Sequence, residues 1–443
     1  MTAAVETAKA LSRDEIIFDW NEIAPRPKPA HAFDLNDETL RDGVQSPSVV
    51  DPKVEDKLEL LSLMSELGIR AVDIGLPGAG KRAFDDVVKQ AKYIADQKLS
   101  LEPNCAARTV LADIKPVVEA AQRSGQKIVV YTFIGSSPIR QWAEGWDLEF
   151  IRKTSEEAIS FAVSEGLECA YVTEDTTRSS PQNLDVLFRS AIDQGASRLV
   201  LCDTVGHATP EGAKGLVEWT KGLISATGAK VAIDWHGHND RGLAVQNALA
   251  ALEAGAQRLH ACGLGVGERV GNTSMDLLLL NLKLLGWIDY DLHHLVDYVR
   301  KVSKATKVAV PVNYPLSGHD AFRTATGVHA AAIIKAKNKG DDWLADRVYS
   351  GVPAGEFGRE QLIEIGHMSG MSNVRYWLAQ RKLPASDEVC QRILAKAKSV
   401  SWTLTEDEVM AIVSPPAPKK AVKAKAKAPK RKAPKVPRRR AKR

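Results

Sequence analysis

The chain has 443 residues, 44% of them hydrophobic and 26% charged, which is ordinary for a folded protein with a large core. No run of 18 apolar residues occurs, and the acidic residues Glu6, Asp14 and Glu15 near the start argue against a secretory signal. The five cysteines are scattered without a CxxC pair, as expected for buried thiols in a reducing compartment. We therefore predict a cytoplasmic protein that has no membrane partner.

The net charge of +5 is distributed unevenly along the chain. Residues 416–443 contain 14 Lys and Arg and no acids, whereas the other 415 residues contain 46 basic and 55 acidic residues, a net charge of −9. The Lys/Ala/Pro-rich segment 415–443 is predicted to be disordered, with cations that favour phosphates without reading sequence. Three interpretations stay open for this tail: no partner, weak non-specific nucleic-acid contact, or attraction to the acidic body or to CoA phosphates.

Taken in chain order, the sequence predicts a leader over residues 1–30, which ends in a proline-rich stretch. Apolar runs bounded by polar segments then predict eight strands. These strands are Phe33–Leu35, Ala71–Ile74, Leu99–Leu101, Ile128–Phe133, Cys169–Val172, Arg198–Leu201, Val231–Trp235 and Arg258–Ala261.

Amphipathic segments such as Lys53–Leu67 and Ser155–Ser164 separate the strands, and several end at a glycine just before the next strand, as helices often do. Eight strand–helix units in about 250 residues predict an α/β protein with a (β/α)8 TIM barrel, placed here at residues 31–289. A doubly wound sheet is the alternative, although no GxGxxG follows the first strand. Residues 290–414 predict one or two small helical subdomains.

Polar clusters follow five of the eight predicted strands. They occupy residues 36–43, 173–178, 202–207, 236–240 and 263–272. In a TIM barrel, the catalytic groups lie where strands end and the following loops begin. The positions of these clusters therefore predict a catalytic site at that end of the barrel.

A metal site is predicted from the seventh strand, because residues i and i+2 of a strand point to the same side. His236 and His238 would leave the strand end together, and Asp42 and Asn272 follow the neighbouring first and eighth strands. Two nitrogens with one or two oxygens suit Mg²⁺, Mn²⁺ or Zn²⁺ and leave positions open for substrate. The alternative interpretation is a pair of polar histidines in a loop.

Three further residues are candidates for binding and catalysis. Arg41 offers a fixed cation for a developing enolate or alkoxide, and Glu174 is a candidate acid/base group. The alternative is that these two residues form a structural ion pair. Thr204 is a candidate donor to a substrate carboxylate or, alternatively, a helix N-cap; Thr209 is a nearer cap for the next helix.

Several segments resemble the 2-isopropylmalate, homocitrate and citramalate synthases, in a metal-dependent TIM-barrel superfamily that also contains hydroxymethylglutaryl-CoA lyase. The similar segments are DETLRDGVQSP, TEDTTRS, CDTVGHATP, HGHNDRGLAVQNALAALEAGA, GLGVGERVGNTS and VYSGVPAGEFGREQLIEIGHMSG. The resemblance implies a Claisen condensation of acetyl-CoA with a 2-oxo acid, followed by thioester hydrolysis. It makes Asp42, His236 and His238 metal ligands, with Asn272 at or near the metal. It places Arg41 on the keto oxygen, Glu174 near the reacting carbon and Thr204 on the carboxylate.

The resemblance also implies a homodimer in which a histidine and a tyrosine, often from the partner subunit, complete the site. The matching positions are His329 and Tyr349, and a histidine is a natural base for a thioester methyl. Two positions depart from the family pattern: Val44 replaces an acidic or polar residue, and the alanines at 330–332 replace the usual HxDG context. The alternative for His329 is a solvated histidine at a helix end.

The favoured substrate is 2-oxoisovalerate, which gives 2-isopropylmalate in leucine biosynthesis, and homocitrate or citramalate synthase is the alternative. A related carbon–carbon lyase is a further alternative; such lyases carry a reactive cysteine in a glycine-rich loop near the last strand, where Cys262 stands here. A metal hydrolase usually places HxH after the first strand, and only the tail argues for a nucleic-acid binder. The chain ends before the position of a leucine-sensing regulatory domain, so no leucine inhibition of that kind is expected.

Overall fold

The structure is a computed structural model that describes residues 13–414. The predicted disordered tail, 415–443, and the start of the predicted leader lie outside the described residues. The chain divides into two compact units. One contains the residues up to Arg323 together with Lys339–Leu362, and the other contains Thr324–Asn338 and the residues from Ile363 onward. The predicted domain limits at residues 30, 289 and 414 stay predictions.

Eight parallel strands close into a barrel in the first unit, which confirms the predicted TIM barrel. The strands are β1 (Asp34–Asp37), β2 (Ala71–Asp73), β3 (Glu102–Arg108), β4 (Val129–Gly135), β5 (Cys169–Glu174), β6 (Arg198–Asp203), β7 (Ala232–Gly237) and β8 (Arg258–Ala261). Each strand pairs with the next, and β8 pairs with β1 to close the barrel. Two short strands, β9 (Arg323–Thr324) and β10 (Leu362–Ile363), pair with each other.

Helices alternate with the barrel strands and continue after them. In the first unit they are α1 (Arg13–Ile16), α2 (Val54–Glu66), α3 (Lys81–Asp96), α4 (Leu111–Ser124), α5 (Pro138–Glu144), α6 (Leu148–Ser164), α7 (Pro181–Asp193), α8 (Pro210–Thr227), α9 (Ala244–Ala254), α10 (Met275–Leu284), α11 (Leu295–Thr306) and α13 (Asp342–Arg347). In the second unit they are α12 (Gly327–Asn338), α14 (Met371–Gln380), α15 (Asp387–Lys398) and α16 (Glu406–Val413). Between residues 13 and 414, no helix has the length and apolar character needed to span a bilayer.

Seven of the predicted strands overlap an observed strand, but the third prediction is wrong. The run Leu99–Leu101 precedes β3, which begins only at Glu102. β3 reads EPNCAAR, so its polar and small residues give none of the usual β-branched or aromatic signal. The helix ends were easier to predict: Gly125 closes α4 at φ +70°, a conformation that glycine adopts at little cost.

The inward-facing positions of the strands carry buried polar groups as well as apolar ones. At the end where the strands begin, Arg258 binds Asp34 at 2.6 and 2.8 Å and Glu102 at 2.7 Å. A buried guanidinium is stable there because carboxylates pair with it. The polar loops that follow the strands lie at the opposite end of the barrel, where the strands finish.

The second unit has a small core of its own. The core packs α14, α15 and α16 through one set of buried side chains, namely Ile365, Val374, Trp377, Leu378, Cys390, Ile393, Ala397, Leu404 and Val409. Capping fixes the start of α16, because Thr405 accepts from Glu408 N and Glu408 accepts in return from Thr405 N. The helical content predicted for residues 290–414 is therefore confirmed.

Candidate active site

A cavity of about 240 Å³ lies at the end of the barrel where the strands finish. Its lining includes residues from strands or loops at seven positions around the barrel. They are Glu38, Arg41, Asp42, Gln45, Ala106, Tyr131, Phe133, Val172, Glu174, Val200, Cys202, Thr204, His236, His238, His260 and Glu268. Six of the nine residues predicted for the site are therefore in one cavity: Arg41, Asp42, Glu174, Thr204, His236 and His238.

The two histidines of β7 and the carboxylate after β1 converge, as their positions in the sequence predict. His238 Nε2 lies 3.6 Å from Asp42 Oδ2, and His236 Nε2 lies 3.9 Å from the same oxygen. One ligand atom from each residue falls within 4.8 Å of the others, and all three residues are buried. The arrangement fits a divalent metal with two imidazoles and one carboxylate.

Asn272 is held beside these residues by the loop that follows β8. The backbone at 272 pairs with His238 in an isolated antiparallel bridge, and Thr273 N donates to Gly237 O at 2.8 Å. The Asn272 amide nitrogen donates to Val266 O at 3.0 Å, which turns Oδ1 away from that carbonyl. Among the described residues, the buried oxygens Asn272 Oδ1 and Asp42 Oδ2 have no hydrogen-bond partner, so both are available to a metal ion.

The protonation states suit a metal site. Burial acts to raise the pKa of Asp42, but the Arg41 guanidinium outweighs it and holds that pKa below its usual value. Burial, followed by repulsion from His236, lowers the pKa of His238 to about 4. At neutral pH the site therefore offers an ionised carboxylate and a neutral imidazole, the forms that bind metal.

Arg41 lines the cavity and pairs with three carboxylates. Its guanidinium reaches Asp73 at 2.7 Å, Asp42 at 2.9 Å and Glu38 at 3.1 Å. Burial acts to lower the pKa of Arg41, but Asp73, Glu38 and Asp42 raise it well above its usual value. The alternative of an Arg41–Glu174 ion pair is therefore wrong, because other carboxylates occupy the guanidinium.

Glu174, at the end of β5, faces the cavity and is bonded more loosely than Arg41. Arg140 on α5 approaches one of its oxygens at 3.8 Å. Burial raises the pKa of Glu174, and Arg140 and Arg41 offset only part of this. A carboxyl group with a raised pKa in a cavity suits acid/base chemistry.

Thr204 is fixed by the loops after β5 and β6. Its Oγ1 accepts from Asp175 N at 2.8 Å, which leaves the hydroxyl proton available for an oxygen in the cavity. The Asp203 carboxylate holds this loop, because it accepts from His207 N at 2.8 Å and Ala208 N at 3.1 Å. The cap of α8 is Thr209, which accepts from Gly212 N, so Thr204 is not the N-cap.

The loop after β1 is tied to α11 by a buried carboxyl. Asp37 accepts from Thr39 N at 2.8 Å and from the Tyr298 hydroxyl. Burial raises the pKa of Asp37 from 3.8 to about 6, although its hydrogen bonds to Thr39 and Tyr298 act in the opposite direction. The contacts of Asp37 therefore help to position Arg41 and Asp42, which follow in the same loop.

The raised pKa of Asp37 predicts a pH-dependent stability. The folded protein binds a proton at Asp37 more tightly than the unfolded chain does, so protonation stabilises the fold. This contribution is complete below about pH 4 and is lost as the pH rises through about 6. The Asp37→Asn variant carries no titrating group at this position. From pH 4 to pH 7, the free energy of unfolding of the wild type relative to that of the Asp37→Asn variant should therefore fall by up to about 3 kcal/mol. Urea unfolding of both proteins across this range measures the shift, and a difference independent of pH would contradict the prediction.

Neither of the two residues predicted from the region after the barrel, His329 and Tyr349, is among the residues that line this cavity. His329 is exposed in the first turn of α12, in the second compact unit. Tyr349, 46% exposed, follows α13 and lines a separate cavity with Ile17 and Phe18. The roles of His329 and Tyr349 stay predictions.

Comparison with known protein families decides the family. A family model described as HMGL-like matches residues 32–304, which include the whole barrel. The chain belongs to the HMGL-like family. The predicted relationship to this superfamily is therefore confirmed.

Curated relatives match most of this HMGL-like chain. A probable 2-isopropylmalate synthase of Methanopyrus kandleri is 30% identical over 367 residues, 82% of this chain and 69% of the relative. A homocitrate synthase, AksA, of Methanothermobacter thermautotrophicus is 31% identical over 374 residues, 82% of this chain and 88% of the relative. Hydroxymethylglutaryl-CoA lyase of Pseudomonas aeruginosa has a TM-score of 0.53 at 20% identity, over 63% of this chain and 94% of the lyase. At that identity the lyase shows the shared fold alone.

Three polar residues of this candidate active site were not predicted from the sequence: Glu38, Asp73 and His260. Glu38 and His260 line the cavity, and Asp73 binds Arg41 at 2.7 Å. Asp73 and His260 are charged or polar residues inside short apolar strands, a signal that could have marked them. The sequence does not show which inward-facing side chains of different strands meet, so their partners could not be predicted.

Proposed function

We propose that this protein is an acyltransferase that condenses acetyl-CoA with a 2-oxo acid at a divalent metal and then hydrolyses the thioester. The observation that carries the proposal is the convergence of Asp42, His236 and His238, with the Asn272 amide oxygen, beside Arg41 in one cavity. The similarity to 2-isopropylmalate and homocitrate synthases over 82% of the chain supports the same reaction class.

The donor set fits Mg²⁺, Mn²⁺ or Zn²⁺, which when bound would polarise the carbonyl oxygen of the oxo acid. Arg41, held by three carboxylates, supplies a fixed positive charge for the oxygen that becomes an alkoxide. The Thr204 hydroxyl donates a hydrogen bond to the substrate carboxylate. Glu174, whose pKa is raised, is the acid/base group near the reacting carbon.

The proposal includes a homodimer, as the family resemblance implies. His329 and Tyr349 would enter the site of the neighbouring subunit, where His329 removes a proton from the acetyl methyl group. The exposure of both side chains supports this role, because a residue donated to a neighbour lies at the surface of its own chain. The cytoplasmic location and the nucleic-acid contact of the tail stay predictions.

The lining of the cavity favours an oxo acid with an apolar side chain, and we propose 2-oxoisovalerate. Val172 and Val200 face the cavity together with Ala106 and Phe133. A distal carboxylate, as in 2-oxoglutarate, would need a cation. Two arginines lie near the ends of β3 and β4, and one of them, Arg108, binds Asp113 at 2.7 and 2.9 Å.

The other arginine, Arg140, also has acidic partners. It lies 3.0 Å from Glu144 and 3.8 Å from Glu174. Both arginines near the strand ends are thus engaged with carboxylates of the protein. Homocitrate synthase activity is therefore the weaker alternative, and citramalate synthase activity, which takes the smaller pyruvate, stays open.

A thiol-release assay with acetyl-CoA, Mn²⁺ and a panel of 2-oxo acids tests the proposal. We expect kcat/KM for 2-oxoisovalerate to exceed that for 2-oxoglutarate by about 100-fold, because a distal carboxylate without a cationic partner, placed against apolar side chains, costs several kcal/mol. Pyruvate is the matched control for side-chain size. Higher kcat/KM for 2-oxoglutarate would overturn the substrate assignment, and no thiol release with any oxo acid would overturn the reaction.

The lyase alternative receives less support from the structure. The cysteine that such a lyase would use corresponds to Cys262, which is fully buried and accepts from the Asn272 amide at 3.4 Å. Burial raises the pKa of Cys262 well above its usual value. A buried thiol that stays protonated is a poor nucleophile or acid/base group.

A further inference from the structure

Glu38 is a buried carboxylate at the edge of the metal-binding residues, and the proposed reaction gives it no role. It directly follows β1 and is 2% exposed. One oxygen, Oε2, lies 2.7 Å from Nδ1 of His236. The other, Oε1, lies 3.0 Å from Nδ1 of His260 and 3.1 Å from Nη2 of Arg41. All three of these side chains can donate a hydrogen bond to the carboxylate.

The chemistry of these partners fixes where the proton on His236 lies. A guanidinium only donates, so Glu38 beside Arg41 is an acceptor, and a neutral imidazole has one N–H. Glu38 Oε2 lies 2.7 Å from His236 Nδ1 and has no other polar partner among the described residues, so an N–H at Nδ1 is the tautomer that serves both atoms. The lone pair is then at Nε2, the nitrogen that faces Asp42 Oδ2 at 3.9 Å.

A series of buried, hydrogen-bonded groups fixes the position of Glu38. His260 Nε2 lies 3.2 Å from Asp234 Oδ2, so the His260 ring bridges two carboxylates. Asp234 in turn accepts from Arg198 at 2.7 Å and from the Tyr131 hydroxyl at 3.0 Å. Buried side chains joined by several hydrogen bonds in this way form rigid networks. The carboxylate of Glu38 therefore keeps one orientation in the barrel.

We propose that Glu38 is a positioning residue, whose carboxylate accepts from Nδ1 of His236 and thereby directs Nε2 to the metal shared with Asp42 and His238. The inference rests on the proposed metal site. A carboxylate behind a ligating imidazole fixes the tautomer and ring orientation and raises the basicity of the ligand, and its loss typically weakens metal binding by about 10- to 100-fold.

The same residues could instead form a second metal site, because Glu38, His236 and His260 also group within ligand distance. Two observations argue against this. Arg41 lies 3.1 Å from Glu38, so a cation is already present. Both ring nitrogens of His260 face carboxylates, which leaves no lone pair directed at an ion. We therefore expect one metal ion per chain.

The tautomer of His236 is tested directly on the full chain without metal. Two-bond ¹H–¹⁵N spectra of protein labelled with ¹⁵N-histidine distinguish Nδ1–H from Nε2–H imidazoles, and the His236→Asn variant identifies the signal. At about pH 8, where an ordinary histidine is neutral, we expect the Nδ1–H form in the wild type. An Nε2–H form, or a ring that carries both protons, would overturn the proposal. This measurement needs no variant of Glu38.

Metal affinity is the second readout, measured by calorimetric titration with Mn²⁺ in the absence of substrates. Glu38→Gln and Glu38→Ala should weaken Mn²⁺ binding by about 10- to 100-fold. Glu102→Gln is the matched control, because Glu102 pairs with buried Arg258 at the opposite end of the barrel. The Mn²⁺ affinity of Glu102→Gln should stay within about twofold of the wild-type value, since Glu102 touches none of the proposed metal ligands.

The outcomes separate this inference from the proposed reaction. Wild-type affinity in both folded Glu38 variants, or two Mn²⁺ ions per chain, would overturn the role of Glu38 whatever the enzyme condenses. Absence of thiol release in the wild type, with tight Mn²⁺ binding that depends on Glu38, would overturn the reaction and leave the positioning role standing. Circular dichroism shows whether each variant is folded, and for an unfolded variant the tautomer measurement alone decides.

Discussion

The Asp42→Asn variant is expected to lose about a thousandfold or more of kcat/KM, together with most of its affinity for a divalent metal. Asp42 supplies the carboxylate oxygen that faces both Nε2 atoms, at 3.6 Å from His238 and 3.9 Å from His236. A neutral amide is a weaker ligand than a carboxylate for Mg²⁺ or Mn²⁺. A metal that polarises a carbonyl supplies several kcal/mol, and each 1.4 kcal/mol is about tenfold in rate.

Asp240→Asn is the matched control for Asp42→Asn. Asp240 belongs to the same HGHND segment, but its carboxylate pairs with Arg269 at 2.9 and 3.1 Å. Mn²⁺ titration and the thiol-release assay, run on both variants, compare a ligand with a nearby surface carboxylate. We expect the control to bind Mn²⁺ within about threefold of the wild type, as for a residue outside the ligand sphere. Wild-type Mn²⁺ affinity in Asp42→Asn would show that the metal lies elsewhere.

The convergence of the proposed ligands could be predicted from the sequence because these residues follow strands. Strand periodicity places His236 and His238 on one side of β7, and the closure of the barrel between β8 and β1 brings Asp42 and Asn272 to the same seam. Both are consequences of fold topology, which eight strand–helix units already imply. A cluster of side chains at the ends of neighbouring strands can therefore be predicted from the sequence.

The network beneath the ligands could not be predicted in the same way. Glu38, His260 and Asp234 come from three strands or their ends, and their contacts depend on how far each strand is shifted along its neighbour. In the structure Asn36 lies opposite His260, and Asp234 lies opposite Arg258. A shift of one residue would turn each of these side chains to the other face of the sheet. Local sequence patterns do not fix that register.

The misplaced third strand has a related cause. The segment Leu99–Leu101 has the apolar residues expected of a strand, but β3 begins at Glu102 and contains Pro103. Pro103 is only the second residue of the strand, near the end where its missing N–H is tolerated. Ala106 lines the cavity, so small residues of β3 leave space there. The part of β3 that borders the cavity thus carries a small residue instead of the bulky residues that usually mark a strand.

The second large effect is expected for Arg41→Met, which should lower the free energy of unfolding by about 3–5 kcal/mol at pH 8 in a metal-free buffer. Arg41 is only 17% exposed and is the shared partner of Glu38, Asp42 and Asp73. Without it, three carboxylates would lie close together away from solvent. Even with Arg41 present, burial raises the pKa of Asp73 to about 6. A chelator in the buffer is necessary, because a bound divalent cation would replace part of the missing charge.

The sign of the pH dependence and a second substitution make the test for Arg41 specific. Protonated carboxyls need no cation, so the destabilisation should shrink as pH falls from about 8 to about 5. Arg41→Met/Asp73→Asn should recover part of the loss, because it removes one of the crowded charges. Arg140→Met is the matched control: Arg140 is 42% exposed, and its ion pairs should contribute less than about 1 kcal/mol. Equal unfolding free energies for Arg41→Met and the wild type at pH 8 would contradict the buried position of this guanidinium. A loss that stays constant with pH would instead reflect the missing side-chain packing rather than charge.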